Sequence, residues 1–592
     1  MMDPERLRLF KATLKGNLVA AARSAPPPPT TGIAALEGHN NTSLYRLPTG
    51  TQALRPLQER FLNELRRIVQ PVPGGPRGVI AQIGVGGGKT LCAVLAAFAC
   101  EAKRPVLVLP AEMREAFTQE YERIGKNWKR PQNFRMLSYS EVSVASGEEK
   151  LKFLNPDLLI FDECHNIASH DSARTRKFLR YLEESPSVRV AMLSGTMTRR
   201  SLMDYAHLFR VTLVSANPLP TNTYDLTSWA KVLDARTDPQ DGDFAAVRRF
   251  YAGYDKQEAQ VAFGQWLSEQ PLIINMPNSV TCESTILATQ QEVQVPANVQ
   301  WAIQEFEKTW TRPDGEEIAS ALDAFRLRQQ LAQGFYYRWE WPNGKVDHEW
   351  LDARKCWHGN LRRILNRHSP GLDSPLLVAR ALQLGNIKDT LALAALEKWH
   401  TVRVRPPPPT VPVWLSSFLV ERAVQWAKKT RTKGIIWYLD NAVGVQLKAA
   451  GLPVYGAGQF PLLNGEVVAC SIRAHGTGKN LQDYNKNLIL SFPPSGARIE
   501  QLVGRTHRPG QQADEVLVDF FGHTTSARDA IRGAVVDAEY ISASSQNKQK
   551  LELATWNMHF DRFSPMEKKE MFADNADRLE DEEDFEEPLD AL

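Results

Sequence analysis

The 592 residues exceed one ordinary domain, and 43% hydrophobic with 23% charged residues describes a folded globular chain. No run of about 18 apolar residues occurs, which excludes a membrane-spanning segment, and the opening MMDPERLRLFKATLKG lacks the apolar core of a secretory signal. The formal charge is +3; the stretch from Asp574 onward contributes ten acidic residues against Arg578, a net of −9, which leaves +12 on the rest of the chain.

A basic body with an acidic tail suits a polyanion partner and a segment able to compete with it or to dock a partner protein. Six cysteines (Cys92, Cys100, Cys164, Cys282, Cys356, Cys470) show neither paired nor metal-type spacing. The spacing predicts a reduced, cytoplasmic protein without structural zinc.

In chain order, residues 1–48 contain Pro26 to Pro29 and little periodicity, which predicts a partly disordered arm. From residue 49 to 215, short apolar runs alternate with helical patterns. VIAQI, PVLVLP, DLLIFDE and VRVAMLSGT read as buried strands, so this region is expected to form a parallel sheet with right-handed crossovers. Ligands in such sheets bind at the carboxyl ends of the strands. Residues 216–409 read as a mainly helical insertion and linker, closed by the tetraproline Pro406 to Pro409. GIIWYL, VVACSI, NLILSF and EVLVDFF then restore the alternation over 410–545, and 546–592 is a polar, then acidic, tail. The fold class is therefore α/β, with two blocks flanking a helical insertion.

IGVGGGKT (83–90) lies between the first strand and a helix-like run. Backbone N–H groups around Gly84, Gly86, Gly87 and Gly88 can surround a phosphate, with Lys89 reaching the β- and γ-phosphates and the Thr90 hydroxyl ligating Mg²⁺. The strict pattern has glycine where this chain has Ile83. LLIFDECH supplies Asp162 for the metal and Glu163 to orient and deprotonate water. An acid directly after the metal aspartate points to hydrolysis, not to transfer onto a bound substrate. In RIEQLVGRTHRPGQ, Gln501, Arg505 and Arg508 fall at i, i+4 and i+7, which predicts one helical face presenting arginines to transition-state charge. In LRQQLAQGFYYRW, Arg326, Arg328 and Arg338 stand among Phe335, Tyr336, Tyr337 and Trp339; the mix could stack bases, or form core.

LRPLQ (54–58), IGVGGGKT, VLVLP (106–110), DECH (162–165), SGTMT (194–198), AHGTGKNLQ (474–482) and QLVGRTHRPGQ (501–511) stand in the order seen in superfamily 2 helicases. LRPLQ, SGTMTRRSLMDYAHLF, GTGKNLQ and GRTHRPGQ resemble the Swi/Snf-type branch of DNA-dependent ATPases, in a compact layout similar to helicases encoded by tailed phages. The resemblance implies two RecA-like domains closing on ATP and Mg²⁺, and a bacterial host cytoplasm if the chain is phage-encoded. It implies that Gln58 reads the adenine edge, and that Pro110 and Ala111, with the segment around Tyr139, meet the nucleic-acid backbone. It further implies that His165, Ser194, Gly195, Thr196 and Gln501 couple hydrolysis to movement, and that Thr477, Gly478 and Asn480 connect strand and nucleotide.

Three features depart from that pattern: a shortened stretch between Gly458 and Cys470, Pro493-Pro494 after NLILSF, and Lys479. The expected function is a DNA-stimulated ATPase acting on duplex or branched DNA. An RNA helicase shares every ATP residue. A nucleotide-gated scaffold with little turnover is the rival of another class, which intact Lys89, Asp162, Glu163, Arg505 and Arg508 oppose.

Overall fold

The computed structural model describes residues 42–558 except 69–70, 72–73, 85–86, 145, 171, 196–199, 277–281, 317, 319–320, 366, 368–371, 373–374, 407, 460, 462–463, 477–478 and 509. Its strands are β1 (Gly78–Ile83), β2 (Pro105–Leu109), β3 (Arg135–Ser138), β4 (Leu158–Asp162), β5 (Arg189–Ser194), β6 (Ile273–Met276), β7 (Thr285–Gln290), β8 (Phe335–Trp339) and β9 (Thr410–Trp414). They continue with β10 (Gly434–Tyr438), β11 (Val454–Tyr455), β12 (Val468–Ser471), β13 (Lys486–Ile489), β14 (Glu515–Phe520) and β15 (Thr555–Asn557).

Two parallel sheets organise the molecule. The first has six strands in the order β3-β2-β4-β5-β1-β6, the second seven in the order β11-β12-β10-β13-β14-β7-β15. All eight runs read as strands in the sequence are strands here. Continuous apolar runs are what a parallel sheet covered on both faces requires. In β1, Val79, Ala81 and Ile83 join the core beneath the helices Pro56–Arg67 and Lys89–Ala99, while Ile80 joins the opposite core with Phe178 and Trp229. In β10, Ile435 and Trp437 face one core and Ile436 and Tyr438 the other. The two-domain α/β architecture expected from the sequence is what the chain adopts.

The boundaries read from texture shift. Helices Thr223–Leu233 and Lys256–Ser268 bury Trp229, Leu233 and Phe263 against the first sheet, and β6 then pairs in parallel with β1. Residues 223–276 thus pack with the first α/β layer, not within an insertion beginning at 216. The next strand, β7, enters the second sheet beside β14. The extra chain between β7 and β10 comprises helices Ala297–Thr309 and Ala321–Ala332, the antiparallel ribbon β8–β9, and a bundle of helices His348–Leu365, Pro375–Gln383 and Thr390–Val402 around Trp350, Trp357 and Trp399. A closing strand, β15, adds to the far side of β7. β6 and β15 span four and three residues, and β7 alternates buried with half-buried positions, so none offers a continuous apolar run to the sequence reader.

The aromatic run GFYYRWEW is a strand and core, not a helix presenting rings to bases. Phe335 and Tyr336 are buried, Tyr337 Oη accepts the Ala442 N–H at 3.2 Å, and Trp339 packs edge-on to Trp341 and Trp350. Arg328 lies over the Phe306 ring at 5.8 Å. Among the described residues no helix is long and apolar enough to cross a membrane. Of the predicted N-terminal arm, residues 42–48 are described and are not disordered: the short helix Thr42–Tyr45 buries Tyr45 in the core with Phe61 and Trp128; the rest of the arm and the acidic stretch fall outside the described residues.

Candidate functional site

The sheet order sets the site. β5 lies between β1 and β4, so Ser194, at the end of β5, stands between the glycine loop after β1 and the Asp162-Glu163 pair that ends β4. The loop enters the helix Lys89–Ala99 through Gly88 in the left-handed region at φ +81°. A Cβ on Gly88 would come within 2.4 Å of Gln58 Nε2, so two features demand glycine there. Gln58 is buried against the loop, its Nε2 donating to the Gly87 carbonyl at 2.7 Å and its Oε1 accepting the Arg55 N–H at 3.0 Å. Gly84 donates its N–H to Met276 O of the neighbouring β6 at 3.0 Å. Gly86 is outside the described residues.

Lys89 Nζ lies 3.2 Å from Asp162 Oδ1 and is ion-paired with Glu163. Burial alone would lower the lysine pKa, but the two carboxylates overcome it and hold the ammonium above its ordinary range. Burial likewise opposes ionisation of Glu163, and Lys89 with His165 outweighs it, so the carboxyl is held well below its usual range. Glu163 also sits at φ +54°, a conformation costly for a residue with a side chain and of a kind that clusters at functional sites. Its Oε2 is 3.4 Å from Ser194 Oγ, the donor, and Ser194 Oγ shares a hydrogen bond with His165 Nδ1 at 2.9 Å. If Ser194 donates to the carboxylate, His165 must donate to Ser194, a relay three side chains long. Gly195 follows at the surface of the turn, where a Cβ would meet only Ile83 O at 3.7 Å; Thr196 is outside the described residues.

Asp162 is 2% exposed, and its Oδ1 accepts no hydrogen bond of good geometry. A buried carboxylate oxygen needing a further partner fits a hard cation that keeps most of its waters, and Thr90, in the first turn of the helix after the loop, offers a hydroxyl. Among the described residues no group of three or more acidic, histidine or cysteine side chains is placed to hold a metal ion by itself.

From the second sheet come Arg505 and Arg508. The helical face expected to carry them is not formed: the helix Gly496–Val503 ends at Gly504, and both arginines occupy the turn beyond. Gly504 ends helices readily, and Pro509 disfavours helical backbone at the residue before it. The turn still brings them together. Arg505 Nε donates to Gln501 O at 3.0 Å and Gly476 O at 3.1 Å, and Nη1 of both arginines points to Lys479 O, at 3.1 and 3.5 Å. Burial, then the charge of Arg508, lowers the Arg505 pKa to about 10, while Glu163 acts in the opposite sense; Arg505 and Glu163 therefore sense each other across the cleft.

Other expected positions are placed less closely. Pro110 is buried at the end of β2 and Ala111 is exposed beside it; Asn480 is exposed, half-buried Gln501 lies on the last turn of its helix, and Thr477 and Gly478 are outside the described residues. Tyr139, expected near nucleic acid, is instead buried, and its hydroxyl donates to the Asp162 carbonyl at 2.9 Å. The tyrosine supports the metal-side aspartate from beneath, a role that only its position after β3 hinted at.

Residues 55–205, holding Gln58, the glycine loop, Asp162-Glu163 and Ser194, match the family model of the DEAD/DEAH box helicases. No curated protein matches the chain. The match together with the two-sheet architecture supports a superfamily 2 helicase-like ATPase, dependent on nucleic acid.

Proposed function

We propose that the protein is a nucleic-acid-stimulated ATPase that couples hydrolysis to movement on, or remodelling of, DNA, with duplex or branched DNA as its substrate and the Swi/Snf-like branch as its nearest type. The juxtaposition of Lys89, Asp162 and Glu163 with Arg505 across the cleft carries this reading. Glycine-loop amides and Lys89 bind the nucleotide phosphates, Lys89 exchanging its carboxylate partners for phosphate oxygens. Magnesium held through Thr90 and Asp162 would neutralise charge on those phosphates. Glu163, ionised and aimed by Ser194 and His165, orients and deprotonates water. Arg505 and Arg508 approach from the second domain and stabilise the charge that develops on the γ-phosphate.

Gln58, tethered to the loop it adjoins, sets the floor beside which an adenine edge would be read. Pro110 and Ala111 follow the end of β2, where a backbone-tracking groove would run, and Asn480 lies on the connection between β12 and β13. Contacts to phosphates are sequence-independent, so stimulation should be similar for unrelated sequences. ATP hydrolysis measured with single-stranded DNA, duplex DNA, forked DNA and RNA tests the reading: forked or duplex DNA should stimulate most. Stimulation by RNA equal to or above every DNA form would replace it with an RNA helicase or RNA–protein remodeller. An equally slow turnover with all of them would leave a nucleotide-gated scaffold.

A further inference from the structure

The two domains meet at a buried charge cluster. Asp537, in the long helix Thr525–Ser545 of the second domain, is 2% exposed. Its Oδ2 accepts from Arg200 Nε at 3.1 Å and from the Gly496 N–H at 3.3 Å, and its Oδ1 from Arg236 Nη2 at 3.3 Å. Arg200 Nη2 also reaches Pro494 O at 3.4 Å. Both arginines belong to the first domain. The Arg200 carbonyl accepts the Ala235 N–H at 2.8 Å, and Asp234 accepts from Ser201 Oγ at 2.5 Å and from the Leu202 N–H at 2.8 Å.

The two ends of this cluster lie close in sequence to groups of the proposed site, one in each domain. Arg200 lies six residues beyond Ser194, whose hydroxyl bonds Glu163. Gly496 is the first residue of the helix whose other end leads to Gln501, Arg505 and Arg508. Close backbone packing makes the junction stiff: a Cβ on Gly496 would lie 2.6 Å from Ala534 O, and one on Gly264 of the helix Lys256–Ser268 would lie 2.6 Å from Ala543 O. A carboxylate buried between two guanidiniums holds its register only while all three are present.

We propose that Asp537, with Arg200 and Arg236, is a positioning node that fixes the helix bearing Gln501, and with it Arg505 and Arg508, against the segment that follows Ser194. The inference rests on the ATPase reading above. Asp537 touches no nucleotide; it acts through the arginines. It differs from the residues a helicase-like motif scan picks out, because Asp537 lies outside every motif and its partners are 337 and 301 residues away in sequence.

The test is Asp537→Asn in the full chain, with DNA-stimulated turnover measured alone and combined with Arg508→Ala. We expect kcat to fall about tenfold or more with KM for ATP unchanged within about threefold, since misplacement of a catalytic group by about 1 Å is costly. In the Arg508→Ala background the same change should cost less than about twofold further. Losses that multiply in full would overturn the node. Should Asp537→Asn fail to fold, Arg200→Lys keeps the charge but loses the guanidinium fork whose Nε and Nη2 reach Asp537 and Pro494 separately, and the same cycle applies.

Hydrogen–deuterium exchange gives a reading free of turnover: Asp537→Asn should speed exchange in both 200–204 and 494–503. Faster exchange confined to 525–545 would overturn the node. If wild-type protein hydrolyses no ATP with any nucleic acid, the ATPase reading fails, and the exchange experiment still decides whether the node joins the two segments.

Discussion

The two domains contribute to one cleft in different ways. On the first, Lys89, Asp162, Glu163, Ser194 and His165 are partnered with one another, side chain to side chain. On the second, Arg505 and Arg508 donate only to backbone carbonyls at 476, 479 and 501, and among the described residues no carboxylate pairs with either. The first face pairs its charges internally and leaves Asp162 Oδ1 for a further partner; the second keeps half-buried positive charge that, among the described residues, no carboxylate pairs. Uncompensated charge is costly in a closed cleft, and an anion arriving between the faces relieves the cost. The nucleotide is thereby the natural partner of the second face and a competitor for the partners of the first.

Substitutions can break that contrast in graded steps. Glu163→Gln keeps shape and should keep ATP bound while turnover falls about 10³-fold, whereas Lys89→Ala should weaken nucleotide binding itself; equilibrium binding beside single-turnover hydrolysis separates them. Equal hydrolysis in wild type and Glu163→Gln would remove the base from the first face. Arg508→Ala should retain ATP and nucleic acid but lose about 10³ in stimulated rate. A loss below about tenfold would mean that the second face does not complete the site. Tyr139→Phe removes the support of the Asp162 carbonyl. It should lower stability by about 1 kcal/mol and shift the magnesium dependence of turnover, read from a thermal melt and a metal titration. Smallest is the acidic stretch: ending the chain at Phe572 should tighten nucleic-acid binding a few-fold at low salt, fading above about 0.15 M. No change at low salt would favour a docking role for that stretch.

The sequence disclosed the first face almost whole, because its residues sit directly after apolar strands and a parallel sheet collects strand ends in one place. Glu163, Lys89 and Ser194 were therefore legible as a group even though 74 and 31 residues separate the bonded pairs. The second face was legible in composition but not in conformation: a spacing of four and three suggested a helix, and Gly504 ended it one residue before Arg505. Domain limits were harder. β6 and β7 are short or partly polar, and nothing local reveals that one closes the first sheet and the other enters the second. The GFYYRWEW aromatics left two readings open in the sequence, since rings suited to stacking on bases are equally suited to packing on Trp350. Asp537 carried no local signal, and Tyr139 none for its bond to the Asp162 carbonyl, because each acquires its meaning from a partner distant in the chain.

The ribbon β8–β9 has a consequence for how this chain can be rearranged. At its base the Leu415 and Ser416 N–H groups both donate to Gly334 O, at 2.8 and 3.0 Å, so the polypeptide leaves and returns at a single point. Residues 335–414, tryptophan-rich bundle included, are in that sense a graft on a stem. Bridging the far end of the ribbon, Trp339 to Thr410, by a short turn would ask little loop-closure entropy, would keep Phe335, Tyr336 and Tyr337 in the core, and would leave both parallel sheets with every strand they have. Such a change would sever a tether to the first domain, Arg176 donating to Leu365 O at 3.3 Å. The bundle can be exchanged, enlarged or lost as a cassette while the ATP-binding cleft inherits an unchanged frame.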